Sequence, residues 1–331
     1  MKHAIDTFTG IRPTADLTVA NYLGAVQPII DRERTYPNDS SAVFLAELHA
    51  ATTDRPSEVR KHSLELTRTL IACGVSGEIY SQQSLESLVM KTELSLRGLV
   101  RVSELLRQPT LKDKIRTSDN PETASVGLAM YPVLMASDIV LARPAEVPTG
   151  KDQKGHLELT NVLIRRFNSE YAGELPEPHN REIEPINVLS LDGSGRKMSK
   201  SIPGGAIYLD NSPSEASRKV MRAVTASEPG EDLTVAVDNL LFLGHNLRGE
   251  SYVDDKELTD MADAVKNGER VTKQFKEAVA VNVSGFIADM QKKRAIVTND
   301  DVSDRISRGN KWIDPIAQDT AMHISDRYWS S

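Results

Sequence analysis

The stretch FTGIRPTADLTVANY, residues 8–22, has the pattern of a strand that ends in a turn and leads into a helix. Gly10 and Pro13 are typical turn residues, and Thr18 is a typical helix N-cap. We therefore predict a strand over Ile5–Thr9 and a helix that begins at Thr18.

The same alternation continues through the first half of the chain. We predict further strands over Ala42–Leu45 and Glu78–Ser81, and helices from Ser57 and over Leu85–Leu106. Strands separated by helices imply a parallel sheet with right-handed crossovers. Ligands of such sheets bind at the carboxyl ends of the strands. From Pro213 onward helical segments dominate, so we predict an α/β domain followed by an α-helical domain.

Composition limits the class of protein. The 331 residues carry a formal net charge of −7 and one cysteine, and a chain of this length accommodates two domains. The negative charge argues against a nonspecific nucleic-acid binder, although a local basic patch would suffice for RNA. The N-terminus lacks the apolar core of a signal peptide, and no apolar run is long enough for a membrane span. Cysteine and histidine show no zinc-site spacing. We expect a soluble cytoplasmic protein without a protein-bound metal.

A basic, hydroxyl-rich motif, KMSKS, occupies residues 197–201 and follows a glycine-bearing loop at 192–196. Two lysines, two serines and flexible backbone amides suit a polyanion whose charge grows as a bond breaks. The plain alternative is a solvated basic turn.

Phosphate could also be held where the first helix begins. Thr18 and Asn21 share one helix face, the free amides of a helix N-terminus favour phosphate, and Arg12 adds a positive charge. The alternative is that Thr18 is only a cap and Asn21 an exposed helix residue.

The apolar run 126–141 carries polar side chains at helical spacing. Tyr131, Met135 and Asp138 fall at i, i+4 and i+7, which places an aromatic ring, a thioether and a carboxylate on one face. A buried carboxylate is costly unless it accepts hydrogen bonds. We predict a slot for a flat ring that carries one N–H; the alternative is a structural aspartate bonded to backbone.

The segment 147–156 has the pattern of a loop that enters a helix. Gly150 permits close backbone approach, and Asp152 could accept both hydroxyls of a ribose. A helix N-cap is the alternative for Asp152.

Together these motifs resemble those of the bacterial-type tryptophanyl-tRNA synthetases, which are class I aminoacyl-tRNA synthetases. The stretch 10–21 is similar to the first class I signature, and KMSKS is the second signature in full. The run YPVLMASDI, residues 131–139, is similar to the amino-acid specificity helix of the family. GKDQKGHLEL, residues 150–159, is similar to its ribose and amino-acid loop. The resemblance covers nearly the whole chain.

The resemblance implies a Rossmann-like catalytic domain over residues 1–205 and an α-helical domain over 206–331 that recognises the tRNA anticodon. It implies that L-tryptophan attacks the α-phosphate of ATP, which carries Mg²⁺, and that the tryptophanyl group then passes to tRNA(Trp). It also implies a homodimer.

The resemblance assigns three groups of site residues. The catalytic group is Lys197, Lys200, Ser199, Ser201, Thr18 and Asn21. The ATP-binding group is Arg12, Pro13, Thr14, Ala20, Asn21, Gly150, Lys151, Asp152, Val188, Lys197, Met198, Ser199, Lys200 and Ser201. The tryptophan-binding group is Asp138, which would accept the indole N–H, with Phe8, His49, Met135, Val147, Tyr131 and Gln153. Candidate phosphate contacts for tRNA are Arg218, Lys219, Arg222, Lys292, Lys293 and Arg294.

Two alanines depart from the pattern of the family. Ala15 and Ala20 stand where glycine is usual, and a methyl group at position 20 intrudes where backbone approaches the nucleotide. Overpacking of this kind costs about 1–3 kcal/mol unless neighbours move. We expect either a lowered ATP affinity or a compensating change nearby. Lys151 also replaces an acidic residue.

Three other functions fit parts of the sequence. A tyrosyl-tRNA synthetase shares the fold, but the 131–139 and 152–156 segments argue against it. A regulatory paralogue that binds tryptophan or tRNA without catalysis is disfavoured by the complete KMSKS motif. A small-molecule nucleotidyltransferase would normally lack the long helical C-terminal domain.

Overall fold

The computed structural model describes residues 1–14, 17–108, 125–150, 153–182, 186–200, 202–225 and 233–330. A five-stranded parallel sheet with strand order β3-β2-β1-β4-β5 forms its centre. The strands are β1 (Ile5–Ile11), β2 (Ser41–Leu45), β3 (Glu78–Ser81), β4 (Pro144–Thr149) and β5 (His179–Glu182).

Helices follow and connect the strands. In the first half they are α1 (Val19–Asn21), α2 (Gln27–Thr35), α3 (Glu47–Ala50), α4 (Pro56–Cys73), α5 (Glu86–Arg97), α6 (Val102–Leu105), α7 (Val126–Ala142) and α8 (Lys154–Glu170). In the second half they are α9 (Pro213–Arg222), α10 (Thr234–Asn246), α11 (Asp255–Lys266), α12 (Thr272–Ile296) and α13 (Asn299–Trp329). The sequence-based expectation of a parallel α/β sheet with a helical C-terminal region is confirmed.

The strand order places a topological switch point between β1 and β4. From β1 the chain moves outward through β2 to β3, and it returns to the other side of β1 with β4 and β5. A crevice forms at the carboxyl ends of two strands whose connections leave in opposite directions. The fold therefore predicts a ligand site at the residues just after β1 and β4.

One predicted helix is wrong in extent. The sequence indicates a continuous helix over Leu85–Leu106, but the structure has a 3₁₀ turn at Gln82–Leu85, then α5, then α6. Gly98 caps the end of α5. Glycine is a poor helix former, and Arg101 begins a new cap whose backbone N–H donates to Glu104 at 2.9 Å. The apolar periodicity continues across this break, which is why it suggests one long helix.

The two predicted domains share one apolar core. Val188 and Met198 near the KMSKS motif belong to the same buried cluster as Val220 of α9 and Leu240 of α10. Asn239 of α10 also brackets Leu189, accepting from its N–H at 2.8 Å and donating to its carbonyl at 3.1 Å. The segment around the motif is therefore tied to the helical region by both packing and hydrogen bonds.

The last helix, α13, returns to the sheet and covers the free edge of β3. The Arg305 guanidinium donates to the carbonyls of Val75 and Ser76 at 2.9 and 2.8 Å, and the Asn310 side chain accepts from the Ser81 N–H at 2.9 Å. A side chain at Gly309 would overlap the carbonyl of Ile79. Edge strands expose unpaired backbone groups; α13 bonds to one of them at Ser81 and to two carbonyls just before the strand. Among the described helices, none is both long and apolar enough to cross a membrane.

Candidate active site

A cavity of about 290 Å³ opens where β1 and β4 end. The stretch after β1 contributes Arg12, and β4 contributes Val147, Pro148 and Thr149. The sequence-predicted residues that line it are Phe8, Arg12, His49, Tyr131, Met135, Val147 and Gln153. Six of these are predicted tryptophan-binding residues. They are spread over 146 positions of the sequence, and the fold brings them together at the switch point.

Aromatic rings and a glycine form the floor of this cavity. Phe8 and Phe44 stack with ring centroids 4.9 Å apart. A side chain at Gly10 would overlap the ring of Phe44, so glycine is required for β1 to lie against this ring. Phe44 also lines the cavity, near the carboxyl end of a predicted strand.

Asp138 lies beside the cavity and does not line it directly. Its carboxylate is only 3% exposed. Nε2 of His49, which does line the cavity, is 2.9 Å from Oδ2 of Asp138. The carboxylate is therefore bonded within the protein, but to the side chains of His49 and Gln82 where the structural alternative expected backbone. A carboxylate has about four acceptor positions, so these bonds leave capacity for a further donor.

Gln82 is a second partner of Asp138 and was not predicted. Its Nε2 donates to both carboxylate oxygens at 2.8 Å, and its Oε1 accepts from the Leu48 N–H at 2.9 Å. Gln82 is 1% exposed. Its position directly after β3 was the available signal, because polar side chains at the carboxyl ends of parallel strands converge.

The charge of Asp138 affects two neighbouring titratable groups. Burial raises the pKa of Tyr80 well above its usual value, and the Asp138 charge adds to the rise. Burial also raises the pKa of Glu93. The nearby charge of Arg97 lowers this pKa, and the charge of Asp138 raises it by a smaller amount. The charge of Asp138 therefore acts on neighbouring groups as well as on its hydrogen-bond partners.

Tyr131 and Gln153 form a second polar group at the cavity. The Tyr131 hydroxyl donates to Oε1 of Gln153 at 3.2 Å, and Nδ1 of His156 lies 3.0 Å from the same oxygen. The Tyr131 ring makes edge contacts with His49 and His156, each with centroids 5.1 Å apart. These contacts orient the phenol and the amide at the cavity wall.

Arg12 is held at the cavity by two residues that follow α3. Its Nη2 donates to Oγ1 of Thr53 at 2.8 Å and lies 3.8 Å from Oδ2 of Asp54. Its Nε is buried and has no hydrogen-bond partner among the described residues. This N–H can donate to an anionic ligand group.

Within the first signature, Thr18 caps the start of α1. The Thr18 hydroxyl accepts from the Asn21 N–H at 3.2 Å, and Oδ1 of Asn21 accepts from the Thr18 N–H at 3.2 Å, which is a reciprocal capping box. The cap is thus confirmed, and Thr18 is fully buried whereas Asn21 is exposed. Ala20 is partly buried and packs against the apolar core. A π-helical turn, Tyr22–Val26, follows directly, a local widening that is frequent at functional sites.

The KMSKS segment is folded back as a hairpin. Leu189 and Lys197 form an antiparallel bridge, the Met198 N–H donates to the Val188 carbonyl at 2.8 Å, and Gly193 and Gly195 have positive φ angles of 78° and 67°. Val188 and Met198 are buried, whereas Lys197 is exposed.

Lys200 connects this hairpin to the first signature. Its Nζ donates to Oγ1 of Thr14 at 2.6 Å, and Thr14 follows the buried Pro13, two positions after Arg12. The Ser199 carbonyl accepts from the Ile202 N–H at 3.1 Å. The two signatures, 186 positions apart at this contact, are thereby brought together.

A second cavity of about 400 Å³ adjoins the first and shares Thr9, Gly10 and Pro148 with it. Gly150 lines it together with Gly24, at which an added side chain would meet nothing within 4 Å. The predicted residues Lys151, Asp152 and Ser201, and the departure at Ala15, lie outside the described residues.

The candidate tRNA contacts separate into two groups. Lys219 donates to the Ala206 carbonyl at 2.6 Å, and Arg294 pairs with Asp210 and, at 3.1 Å, with Glu65. These two cations are used within the fold. The other candidates are exposed: Arg218, Arg222, Lys292 and Lys293.

Three features together define a nucleotide-dependent class I tRNA synthetase. They are the parallel sheet, the contact between the two signatures and the cavity at the strand ends. The model of the family of class I tRNA synthetases for tryptophan and tyrosine matches residues 1–294, and the chain belongs to this family.

Individual relatives lie on the tryptophan side of the family. The tryptophan–tRNA ligase of Wolinella succinogenes is 31% identical over 337 residues, which cover 97% of each chain. The crystal structure of tryptophanyl-tRNA synthetase from Mycoplasma pneumoniae has a TM-score of 0.80 at 26% identity and covers 98% of this chain and 97% of that one. The Campylobacter jejuni enzyme, crystallised with ADP and tryptophan, has a TM-score of 0.79 and covers 97% and 99%; at 24% identity it supports the fold alone. The resemblance to bacterial-type tryptophanyl-tRNA synthetases, and with it the assignment to an enzyme class, is confirmed.

Proposed function

We propose that the protein activates L-tryptophan with ATP to give tryptophanyl-adenylate and pyrophosphate, and then transfers the tryptophanyl group to tRNA(Trp). The observation that carries this proposal is the strand-end cavity, because six predicted tryptophan-binding side chains line it and a buried carboxylate lies beside it. The near full-length similarity to the Wolinella ligase supports the same substrate.

Within this cavity the indole ring lies among Phe8, Met135 and Val147, and its N–H donates to Asp138. Because Asp138 does not line the cavity in the structure, the His49 ring must shift slightly when tryptophan binds. The Tyr131 hydroxyl and the Gln153 amide hold the ammonium group of the amino acid. Arg12, whose Nε has no hydrogen-bond partner in the described part of the chain, holds the reacting carboxylate or the α-phosphate.

The first reaction step requires no protein nucleophile. The tryptophan carboxylate oxygen attacks the α-phosphorus, and the bond to the bridging oxygen of pyrophosphate breaks. Catalysis then comes from positioning and from stabilising charge on the leaving pyrophosphate. Lys197 and Lys200, with Ser199 and Ser201, supply that stabilisation. Mg²⁺ arrives with the phosphates of ATP, the usual way in which this ion is bound in phosphoryl-transfer sites.

The nucleoside occupies the second cavity and its surroundings. Gly150 and Gly24 let the ribose approach the backbone. We assign Asp152 to the ribose hydroxyls, and Lys151, Pro13 and Thr14 to further contacts with ATP. The adenine packs near Val188 and Met198, beside Ala20 and Asn21.

We place tRNA recognition on the helical region after residue 205. The exposed cations Arg218, Arg222, Lys292 and Lys293 contact phosphates of the tRNA, and Lys219 and Arg294 serve the fold instead. We further propose that the enzyme is cytoplasmic.

A homodimer is also part of the proposal. Five apolar side chains on α5, α6 and the start of α7 are strongly exposed: Met90, Leu94, Val102, Leu106 and Val126, with exposures of 42–79%. Exposed apolar patches mark association surfaces, and we propose that these side chains form such a patch. Light scattering of the purified chain should give twice the mass of 36.5 kDa, and a stable monomer would contradict the dimer.

The proposed activation step is tested by amino-acid-dependent exchange of labelled pyrophosphate into ATP. We expect exchange with tryptophan and little with tyrosine or phenylalanine. Exchange with tyrosine instead would support the tyrosyl alternative. Binding of tryptophan without any exchange would support the regulatory alternative.

A further inference from the structure

Gln82 occupies a position between the sheet and the tryptophan cavity that the assigned site residues do not explain. It is the first residue of the 3₁₀ turn Gln82–Leu85 after β3. Its amide nitrogen contacts both oxygens of Asp138 at 2.8 Å, and its amide oxygen accepts from the Leu48 N–H at 2.9 Å. Both ends of the side chain are therefore in use, and its direction is fixed.

A neutral amide partner has a specific consequence for a buried carboxylate. It supplies donors without a compensating charge, so the remaining lone pairs of Asp138 stay strong acceptors. His49 approaches only Oδ2, at 2.9 Å, whereas Oδ1 has contacts only from Gln82 among the described residues. The free acceptor capacity therefore lies mainly on Oδ1.

We propose that Gln82 is a positioning residue for amino-acid selection: it fixes the Asp138 carboxylate so that Oδ1 faces the indole N–H. This inference rests on the proposed tryptophan–tRNA ligase function and deepens it. It adds a side chain from the end of β3 to a site otherwise built from β1, β2, β4, α3 and α7 and from the start of α8.

A purely structural role for Gln82 would produce different effects. Its bond to the Leu48 N–H joins the end of β3 to α3, and loss of this bond would lower the free energy of unfolding. It would not change the preference for an amino acid with an N–H over one without. Selectivity therefore separates the two roles.

The first test variant is Gln82→Glu, which keeps the size of the side chain and an acceptor for Leu48. Below its pKa the new carboxyl group can donate its proton to Asp138, whereas above it two carboxylates repel each other. We expect the KM for tryptophan, relative to the wild type, to rise with pH from about 5.5 to about 8.5. Other titratable groups facing this point are His49, Glu47, Tyr80 and Glu93, and taking the ratio to wild type at each pH removes their common contribution.

The second variant is Gln82→Met, which removes both hydrogen-bonding ends. We expect the KM for tryptophan to rise about tenfold to a hundredfold, as for loss of a hydrogen bond to a charged group. The KM for ATP should stay within about twofold, and the preference for tryptophan over phenylalanine should fall. The matched control is Gln83→Met, because Gln83 is the adjacent glutamine in the same turn and is exposed.

The outcomes separate this inference from the proposed function. Wild-type exchange with tryptophan and unchanged selectivity in both Gln82 variants would overturn the role of Gln82 alone. A wild type that lacks tryptophan-dependent exchange would overturn the proposed function, and the inference with it. A pH-dependent tryptophan KM in Gln82→Glu together with lost selectivity in Gln82→Met supports it.

Discussion

At the scale of single residues, the carboxylate of Asp138 is the group to which we assign the choice of substrate. Placing an isolated charge at 3% exposure would cost several kcal/mol. Gln82 and His49 offset this cost with directed donors. An amino acid without a donor would leave the remaining lone pairs unpaired in an apolar cavity, and sites of this kind reject such analogues by roughly 10⁴–10⁵. We therefore expect phenylalanine to be rejected.

We predict that Asp138→Ala raises the KM for tryptophan about tenfold to a hundredfold, because a hydrogen bond to a charged group is lost. The KM for ATP should change far less. Pyrophosphate exchange measured against each substrate tests this. Ser137→Ala is the control, since Ser137 is the neighbouring buried polar residue and its hydroxyl donates to the Val133 carbonyl at 2.9 Å. An unchanged tryptophan KM in Asp138→Ala would remove Asp138 from the recognition of indole.

Ala20 is one of the positions at which glycine is expected from the first signature. If its methyl group limits the approach of ATP, then Ala20→Gly should leave exchange activity equal or higher and lower the KM for ATP. The change should also cost up to about 1 kcal/mol of stability, because glycine is a poor helix former. Ala264→Gly in α11 measures that helix cost away from the site. A clear loss of activity in Ala20→Gly would mean that the local packing depends on alanine.

At the scale of elements, helical periodicity and strand alternation predicted most of the architecture. The spacing of Tyr131 and Met135 placed both on one face, and both line the cavity. The partners of Asp138 were not predictable in this way, since His49 and Gln82 lie 89 and 56 positions away on other elements. Local patterns describe a face but not what packs against it. The packing of α13 against the edge of β3 is likewise a tertiary contact, which local sequence patterns do not predict.

The contact between α13 and β3 gives a prediction about stability. In Gly309→Ala the new methyl group would overlap the Ile79 carbonyl, and we expect a loss of about 1–3 kcal/mol in the free energy of unfolding. Gly98→Ala is the control, because a methyl group there meets nothing within 4 Å. Urea unfolding of both variants measures the difference. Equal stability of the two variants would show that α13 does not pack tightly on this edge.

The KMSKS hairpin gives a prediction about rate. Lys200→Ala should lower the kcat of exchange about 10²–10³-fold, the effect of removing one donor that stabilises developing charge. The KM for tryptophan should change little. Lys273→Ala, at an exposed lysine of α12, controls for the loss of one positive charge. Full activity in Lys200→Ala would show that Lys200 does not stabilise the leaving pyrophosphate.

At the scale of the whole molecule, the parts form one continuous structure. The hairpin with the second signature shares its core with α9 and α10 and bonds through Lys200 to the stretch after β1. Movement of the helical region would therefore carry the hairpin with it. This arrangement links the region proposed for tRNA binding to the site proposed for pyrophosphate release.

The measurement that tests the central claim most directly is the charging of tRNA by the purified full chain. With ATP, Mg²⁺ and a tRNA(Trp) transcript, the account predicts tryptophanyl-tRNA as the product and no charging with tyrosine. Charging of a tyrosine tRNA with tyrosine, or the absence of any charged product from a folded and tryptophan-binding protein, would contradict it.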